Sequence, residues 1–176
     1  NELDQYILSE LSKLEIKVLE NYKIFEYQKV FSLIFNFCTN DLSSFYFDIR
    51  KDSLYCDSKD NITRRSTRTV LDILFHHLLK LLAPLLCFTT EEAWQSRFGN
   101  DESIHMQLFP EAQENWINND LDDRWNNYKI IRKLIFSAIE EKRKDKIIGS
   151  SLEANIELYL PQNNFEGLDK KVIEDI

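Results

Sequence analysis

Residues 61–84, NITRRSTRTVLDILFHHLLKLLAP, read as a single helix from cap to stop. Asn61 or Thr63 offers the side-chain oxygen that caps a helix start. Val70, Leu71, Leu74, Leu78, Leu81 and Leu82 then recur at helical spacing and face inward, and Pro84 ends or kinks the run. An apolar stripe of that width needs other helices to cover it. They lie on both sides. Leu3, Ile7, Leu11, Leu14, Val18 and Tyr22 predict a helix over 3–22. A second runs from about Glu26 to Lys51 on Val30, Phe31, Ile34, Phe35, Phe37, Cys38, Leu42, Phe45 and Ile49, after a reversal near Asn21 to Phe25. Its middle, TNDLSS (39–44), is rich in residues that prefer caps to helix interiors, so a kink or register change is expected there. CDSKDN (56–61) reads as a polar loop. FTTEEAWQSRF (88–98) opens on threonine followed by acids, a start signal for a short fourth helix.

Residues 99–120 are loop-like. A fifth helix is expected from about Leu121 to Lys146, with Trp125, Tyr128, Ile131, Ile135 and Ile139 inside and a basic end suited to the helix dipole. In GSSLEANIELYLP the period changes: Ala154, Ile156, Leu158 and Leu160 alternate with Asn155, Glu157 and Tyr159, which predicts a strand after a turn. FEGLDKKVIEDI reads as the beginning of another helix. The expected fold is mainly α: an up-and-down helical bundle over residues 1–120, then a long helix leading into the start of a small α/β unit over 121–176. Scarce glycine and proline, three of each, agree with long helices rather than a turn-rich β fold.

The three cysteines, Cys38, Cys56 and Cys87, are odd in number, far apart and without a C-x-x-C pair. They predict a reduced, cytoplasmic protein with no disulfide framework and no cysteine zinc site. NELDQYILSELSK lacks the basic and apolar regions of a signal peptide. The most apolar run, ILFHHLLKLLAPLLCF, is interrupted by His76, His77, Lys80 and Pro84, so a soluble chain with no membrane partner is expected. The absence of an initial Met, in mid-helix pattern, suggests a piece of something longer.

A net charge of −8 argues weakly against nucleic acid, but the mean hides an asymmetry. Residues 61–80 hold Arg64, Arg65, Arg68 and Lys80 against Asp72 alone. On a helix the three arginines fall within an arc of about 100°, and guanidinium groups suit phosphate and base edges. The competing reading is a solvated helix face. Tyr46 and Arg50, four apart in DLSSFYFDIRKDSLYCD (41–57), could offer a stacking ring beside a cation. Here the alternative is a core aromatic, with Arg50 and Lys51 paired to Asp48 and Asp52. Adjacent His76 and His77 point about 100° apart and cannot share a metal from one helix; one is expected buried and one exposed. His105 stands alone. No phosphate-cradling glycine loop, catalytic triad or metal-ligand spacing is present, and capping explains Glu91 and Glu92.

NFCTNDLSSFYFDIRKDSLYCD, RRSTRTVLD, LLKLLAPLLCFTTEEAW and EEKRKDKIIGSSLEANIELYL resemble, in order and spacing, the C-terminal part of the bacterial isoleucyl-tRNA synthetases, class Ia enzymes. The resemblance covers roughly residues 1–160 and is most specific at DLSSFYFDIRKD and KIIGSSLEA. It implies that the bundle is an anticodon-binding domain, and that residues from about 121 onward lead into a small subdomain that also lies against tRNA. The parent enzyme would activate isoleucine with ATP and Mg and attach it to its tRNA. Its catalytic and editing domains would precede residue 1, and a zinc module, in members that have one, would follow residue 176. This piece would carry no catalytic site, cofactor or metal of its own. Its expected partners are the anticodon arm of isoleucine tRNA and the other domains of the same synthetase, not DNA.

The residues expected to meet tRNA are Tyr46, Arg50, Lys51, Arg64, Arg65 and Arg68. Behind them come Trp94 and Arg97, then Lys142, Arg143, Lys144 and Lys146. Two alternatives remain at this point: a valine- or leucine-specific relative, and a helical protein-interaction module. A tRNA-binding bundle should expose Arg50, Arg64, Arg65 and Arg68 on one positive face, whereas an interaction module should expose an apolar patch.

Overall fold

A computed structural model describes residues 1–99, 102–150, 153–159 and 168–175. The chain divides into two compact units, Asn1–Asn118 and Asn119–Ile176. In the first, α1 (Glu2–Lys23) is followed by α2 (Tyr27–Asn36), which passes through a π-helical segment (Phe37–Phe47) into α3 (Asp48–Cys56). Then come α4 (Ile62–Leu82) and α5 (Cys87–Phe98), and single 3-10 turns at Ile104–Met106 and Glu114–Trp116. Helix α1 packs on α2 and α4, and α4 packs on α3 and α5. The result is the helical bundle that the periodicity predicts.

The core is built where the stripes meet. Leu3, Ile7, Leu11, Leu14 and Val18 of α1 are buried together with Val30, Ile34, Phe37, Leu42 and Phe45, and with Val70, Leu74 and Leu81 of α4. Each such side chain contributes about 1.5–3 kcal/mol when fully buried. Phe31 and Phe35, expected inside, are exposed. They sit off the Val30–Ile34–Phe37 stripe and stack on each other, ring centroids 5.8 Å apart.

The register change expected at 39–44 is the π-helical segment. Thr39 Oγ1 donates to the Phe35 carbonyl at 2.8 Å and Ser44 Oγ to that of Asn40 at 2.8 Å. Side-chain bonds of this kind compete with the backbone ladder and bend helices. The altered register turns two consecutive rings inward: Phe45, edge-on to Tyr6, and Tyr46.

The reversal after α1 falls at Ile24–Glu26. Phe25 takes φ 61°, while the Glu26 amide donates to the Asn21 carbonyl and the Phe25 amide to that of Tyr22. That pair of bonds closes a helix in the manner usually given to glycine. Asn61 caps α4 by accepting from the Arg64 amide at 3.1 Å, and α4 stops two residues before Pro84. Helix α5 starts earlier than its threonine signal suggests. It begins at Cys87 without a side-chain cap, and Thr90 Oγ1 donates back to the Leu86 carbonyl. The long connection after α5 is held to α1 by Ser12 Oγ donating to the Gln113 carbonyl at 3.0 Å and the Asn118 amide donating to Ser9 Oγ at 3.2 Å.

In the second unit, α6 (Asn119–Lys144) buries Leu121, Trp125, Tyr128, Ile131 and Ile139. Tyr128 Oη accepts from the Asp169 amide at 2.8 Å, just before α7 (Lys170–Asp175). The strand expected at 154–160 is not formed over 154–159, and Leu160 lies outside the described residues. Alternation alone makes no strand: its amides and carbonyls need a neighbouring strand, and none occurs among the described residues.

Candidate nucleic-acid interface

The arginine knot divides at the first turn of α4. Arg64 is half-buried, and its guanidinium donates to the Asp57 carbonyl, tying the polar loop 57–61 to the helix. Arg65 and Arg68 are exposed. They border a groove of about 630 Å³ between α4 and α5, completed by Thr69, Leu71, Asp72, Phe75 and Arg97. Arg97 comes from the last turn of α5. Its guanidinium pairs with Asp72 and lies 4.8 Å from the Phe75 ring centre and 5.3 Å from that of Phe98. Three expected residues, Arg65, Arg68 and Arg97, thus converge on one open groove with an aromatic wall and a single carboxylate.

Tyr46 and Arg50 are elsewhere, and the expectation of an exposed ring beside a cation is overturned. Tyr46 is completely buried. Its hydroxyl donates to Asp4 Oδ1 at 2.9 Å. Burial, then the negative charge of Asp4, push its phenol well above the usual range. Arg50 Nε lies 3.3 Å from the same carboxylate oxygen, and its guanidinium also reaches the Asn1 side chain. Ser66 Oγ donates to the second oxygen of Asp4. Asp4 is therefore a buried hub joining α1, the π-helical segment, α3 and α4. The π-helical register is what delivers Tyr46 to it, and no i,i+4 pattern carries that information. Only two of the four arginines expected on one positive face are there, because Arg50 and Arg64 are used within the fold.

Lys51 is exposed and paired with Asp48 at 2.8 Å. Trp94 is buried against Ala83 and Ile104, with Phe75 and Leu79 alongside; it supports the back of α5 rather than offering a ring to solvent. Its neighbour His76 packs 5.4 Å from Trp94 and 5.2 Å from Phe98. Burial holds the His76 imidazole below its usual range. His77 turns to the buried Glu15 carboxylate and to Trp116. Both histidines are half-buried, not one in and one out, because each side of α4 has its own partner helix or loop.

Lys142, Arg143, Lys144 and Lys146 are all exposed in the second unit. Arg143, Lys144 and Lys146 line a concavity of about 480 Å³ with Glu140, Ile148 and Gly149. Lys146 closes α6 at φ 57°, while the Ile147 amide donates to the Lys142 carbonyl at 3.0 Å. Arg143 pairs with Glu140.

The groove residues that sequence reasoning missed are Thr69, Leu71, Asp72 and Phe75. A signal existed: Arg65, Arg68, Asp72 and Phe75 are spaced three, four and three apart, which places them along one face of α4.

Comparison with known proteins follows the same outline. The family described as the anticodon-binding domain of tRNA ligase matches residues 4–158. The isoleucine–tRNA ligase of Gluconobacter oxydans is 46% identical over 170 residues, covering 95% of this chain and 18% of that protein. That of Ruegeria pomeroyi is 47% identical over 153 residues, 86% of this chain and 16% of the relative. That of Methylacidiphilum infernorum is 41% identical over 175 residues, 99% and 19% respectively. The chain thus spans less than one fifth of the length of these relatives.

Proposed function

Because the chain belongs to the family of anticodon-binding domains of tRNA ligases, we propose that the α4–α5 groove is where it meets tRNA, within an enzyme that joins isoleucine to its tRNA. The observation that carries this reading is the convergence of Arg65, Arg68 and Arg97 around one groove in a chain whose net charge is −8. An acidic protein gains little from generalised attraction to phosphate, so its RNA contacts must be concentrated. The names of the relatives favour isoleucine over valine or leucine. ATP and Mg would act in a catalytic domain outside this chain. The basic concavity at Arg143, Lys144 and Lys146 is a second place for backbone contact. No helix among the described residues is long and apolar enough to cross a membrane.

The test is Arg65→Ala and Arg68→Ala in the full-length ligase. Each should weaken binding of isoleucine tRNA by about 1–3 kcal/mol. A lost phosphate contact should also reduce the magnitude of the salt slope by about 0.7–0.9. Isoleucine-dependent pyrophosphate exchange, which needs no tRNA, should be unchanged. Wild-type aminoacylation and wild-type tRNA affinity in both variants would refute the assignment of this groove.

A further inference from the structure

We infer that the end of the bundle where α1 closes and α5 starts is a docking surface for an uncharged apolar face of the ligase outside residues 1–176; this rests on the chain being one part of a longer tRNA ligase. The two ends of the bundle differ in kind. At one, Asp4 accepts from Ser66 near the start of α4, and Arg50 reaches Asn1. At the other, Tyr22 Oη donates to the Leu81 carbonyl at 2.7 Å, so α1 and α4 close side by side. The Tyr22 ring stacks on Phe109 at 5.4 Å and meets Tyr27 at 6.0 Å, and Tyr27 meets Phe25 at 6.2 Å. His105 Nε2, 3.1 Å from the Cys87 carbonyl, holds the connection after α5 against the start of that helix. Ile24, Phe25, Tyr27, Phe88, Met106 and Leu108 all stand exposed around this end, Phe88 at 92% and Leu108 at 86%.

Charge is missing where a solvated surface would carry it. Residues 83–90, APLLCFTT, and 103–110, SIHMQLFP, contain no Asp, Glu, Lys or Arg, in a chain that is 30% charged. Six large side chains so exposed present on the order of 600 Å², which reaches the upper end of the largest apolar patch on a typical soluble monomer. Phe25 keeps its left-handed φ of 61° there, and backbone strain collects at working surfaces. Without arginine or lysine, the two segments offer nothing to phosphate; a partner gains by removing them from water. The same polypeptide supplies that partner. The chain spans less than one fifth of the length of its relatives, so a ligase of that length keeps more than four fifths of its residues elsewhere. A tethered segment meets the patch at an effective concentration in the millimolar range, which a second copy does not. Counting both sides, about 1,200 Å² would be buried, within the range for contacts between domains of one chain and below the ~2,000 Å² or more of an obligate homodimer. Such docking leaves the groove open, since Arg65 is about 24 Å from Leu81 along α4.

The experiment measures maleimide labelling of Cys87 and Cys56 in the full-length ligase, read by peptide mass spectrometry. Both thiols are exposed within these residues. Cys87 opens α5 beside Phe88, whereas Cys56 closes α3 at the opposite end, next to the Asp57 carbonyl that Arg64 holds. Cys87 should be labelled about tenfold more slowly than Cys56, as befits a docked surface that opens only locally. Phe88→Asp together with Leu108→Asp should raise Cys87 labelling to near that of Cys56, and the milder Phe88→Ala should raise it partway. A Cys56 rate equal to the wild type's shows that each variant is folded. Equal labelling of the two thiols in the wild type overturns the inference, as does slow Cys87 labelling that neither variant changes. Protection of Cys87 that disappears as the enzyme is diluted from dimer to monomer gives the surface to a second copy and overturns it too. The labelling involves no tRNA, so wild-type tRNA binding by Arg65→Ala and Arg68→Ala would fail the groove and leave this surface standing.

Discussion

The Tyr46 hydroxyl and the Asp4 carboxylate, 42 residues apart in sequence, meet in a fully enclosed hydrogen bond of 2.9 Å. A tyrosine that would suit base stacking is thereby committed to stability. Tyr46→Phe should cost about 1.5–3 kcal/mol, the range for a hydrogen bond to a charged group, because the carboxylate loses a donor that water cannot replace. Urea unfolding should show a lower midpoint at an unchanged slope. tRNA affinity measured well below the melting temperature should be that of the wild type; a selective loss of tRNA affinity would show the ring meeting RNA after all.

Phe25 occupies a left-handed conformation, φ 61°, at the end of α1. A side chain there costs roughly 1–2 kcal/mol, and the ring recovers little of it, being 74% exposed. Phe25→Gly removes the strain, but adds freedom to the unfolded chain worth about 0.5–1 kcal/mol. A net gain of about 0.5–1 kcal/mol is expected. Phe25→Ala keeps the backbone strain and should give no gain. Thermal unfolding of the three proteins decides it.

His76 sits between Trp94 and Phe98 with its pKa lowered, first by burial, then by Arg97, Lys80 and His77, with Asp72 opposing. The folded state therefore binds its proton less readily than the unfolded state does. The contribution of His76 is fully present above the unfolded value of about 6.5 and is lost as pH falls through it towards the lower folded pKa. Thermal midpoints taken from pH 7.5 down to pH 5 should fall more steeply for the wild type than for His76→Gln, whose side chain does not titrate. Parallel curves would contradict the burial of this imidazole.

What was legible in the sequence was whatever repeats. The stripes of α1 and α4, the cap at Asn61 and the stop at Pro84 are local patterns, and the structure follows them. The π-helical segment was foreseeable as a disturbance, since Thr39 and Ser44 compete for backbone carbonyls. Its consequence, the inward turn of Tyr46, depends on a partner 42 residues away. The alternation at 154–159 is a true period that finds no strand to pair with among the described residues. At the candidate interface, composition located the positive charge but could not apportion it. Arg50 and Arg64 look like Arg65 and Arg68 until Asp4 and the Asp57 carbonyl are seen to claim them. Arg97 joins the groove only because α5 packs on α4.

Arg64 and Arg65 are neighbours in sequence with opposite tasks, and that contrast is the most direct test of the division. Arg64 donates to the Asp57 carbonyl from a half-buried position. Arg64→Ala should therefore destabilise the chain by about 1 kcal/mol through that bond, with a further loss from its packed stem. Its effect on tRNA affinity should be nil once folding is complete. Arg65 is exposed on the groove border. Arg65→Ala should move stability by no more than about 0.5 kcal/mol, yet weaken tRNA binding by about 1–3 kcal/mol. Urea midpoints and tRNA titrations on the same two variants separate the roles. If Arg64→Ala lowers affinity as much as Arg65→Ala without lowering stability, the knot acts as one positive face, and the inward turn of Arg64 is not its working state.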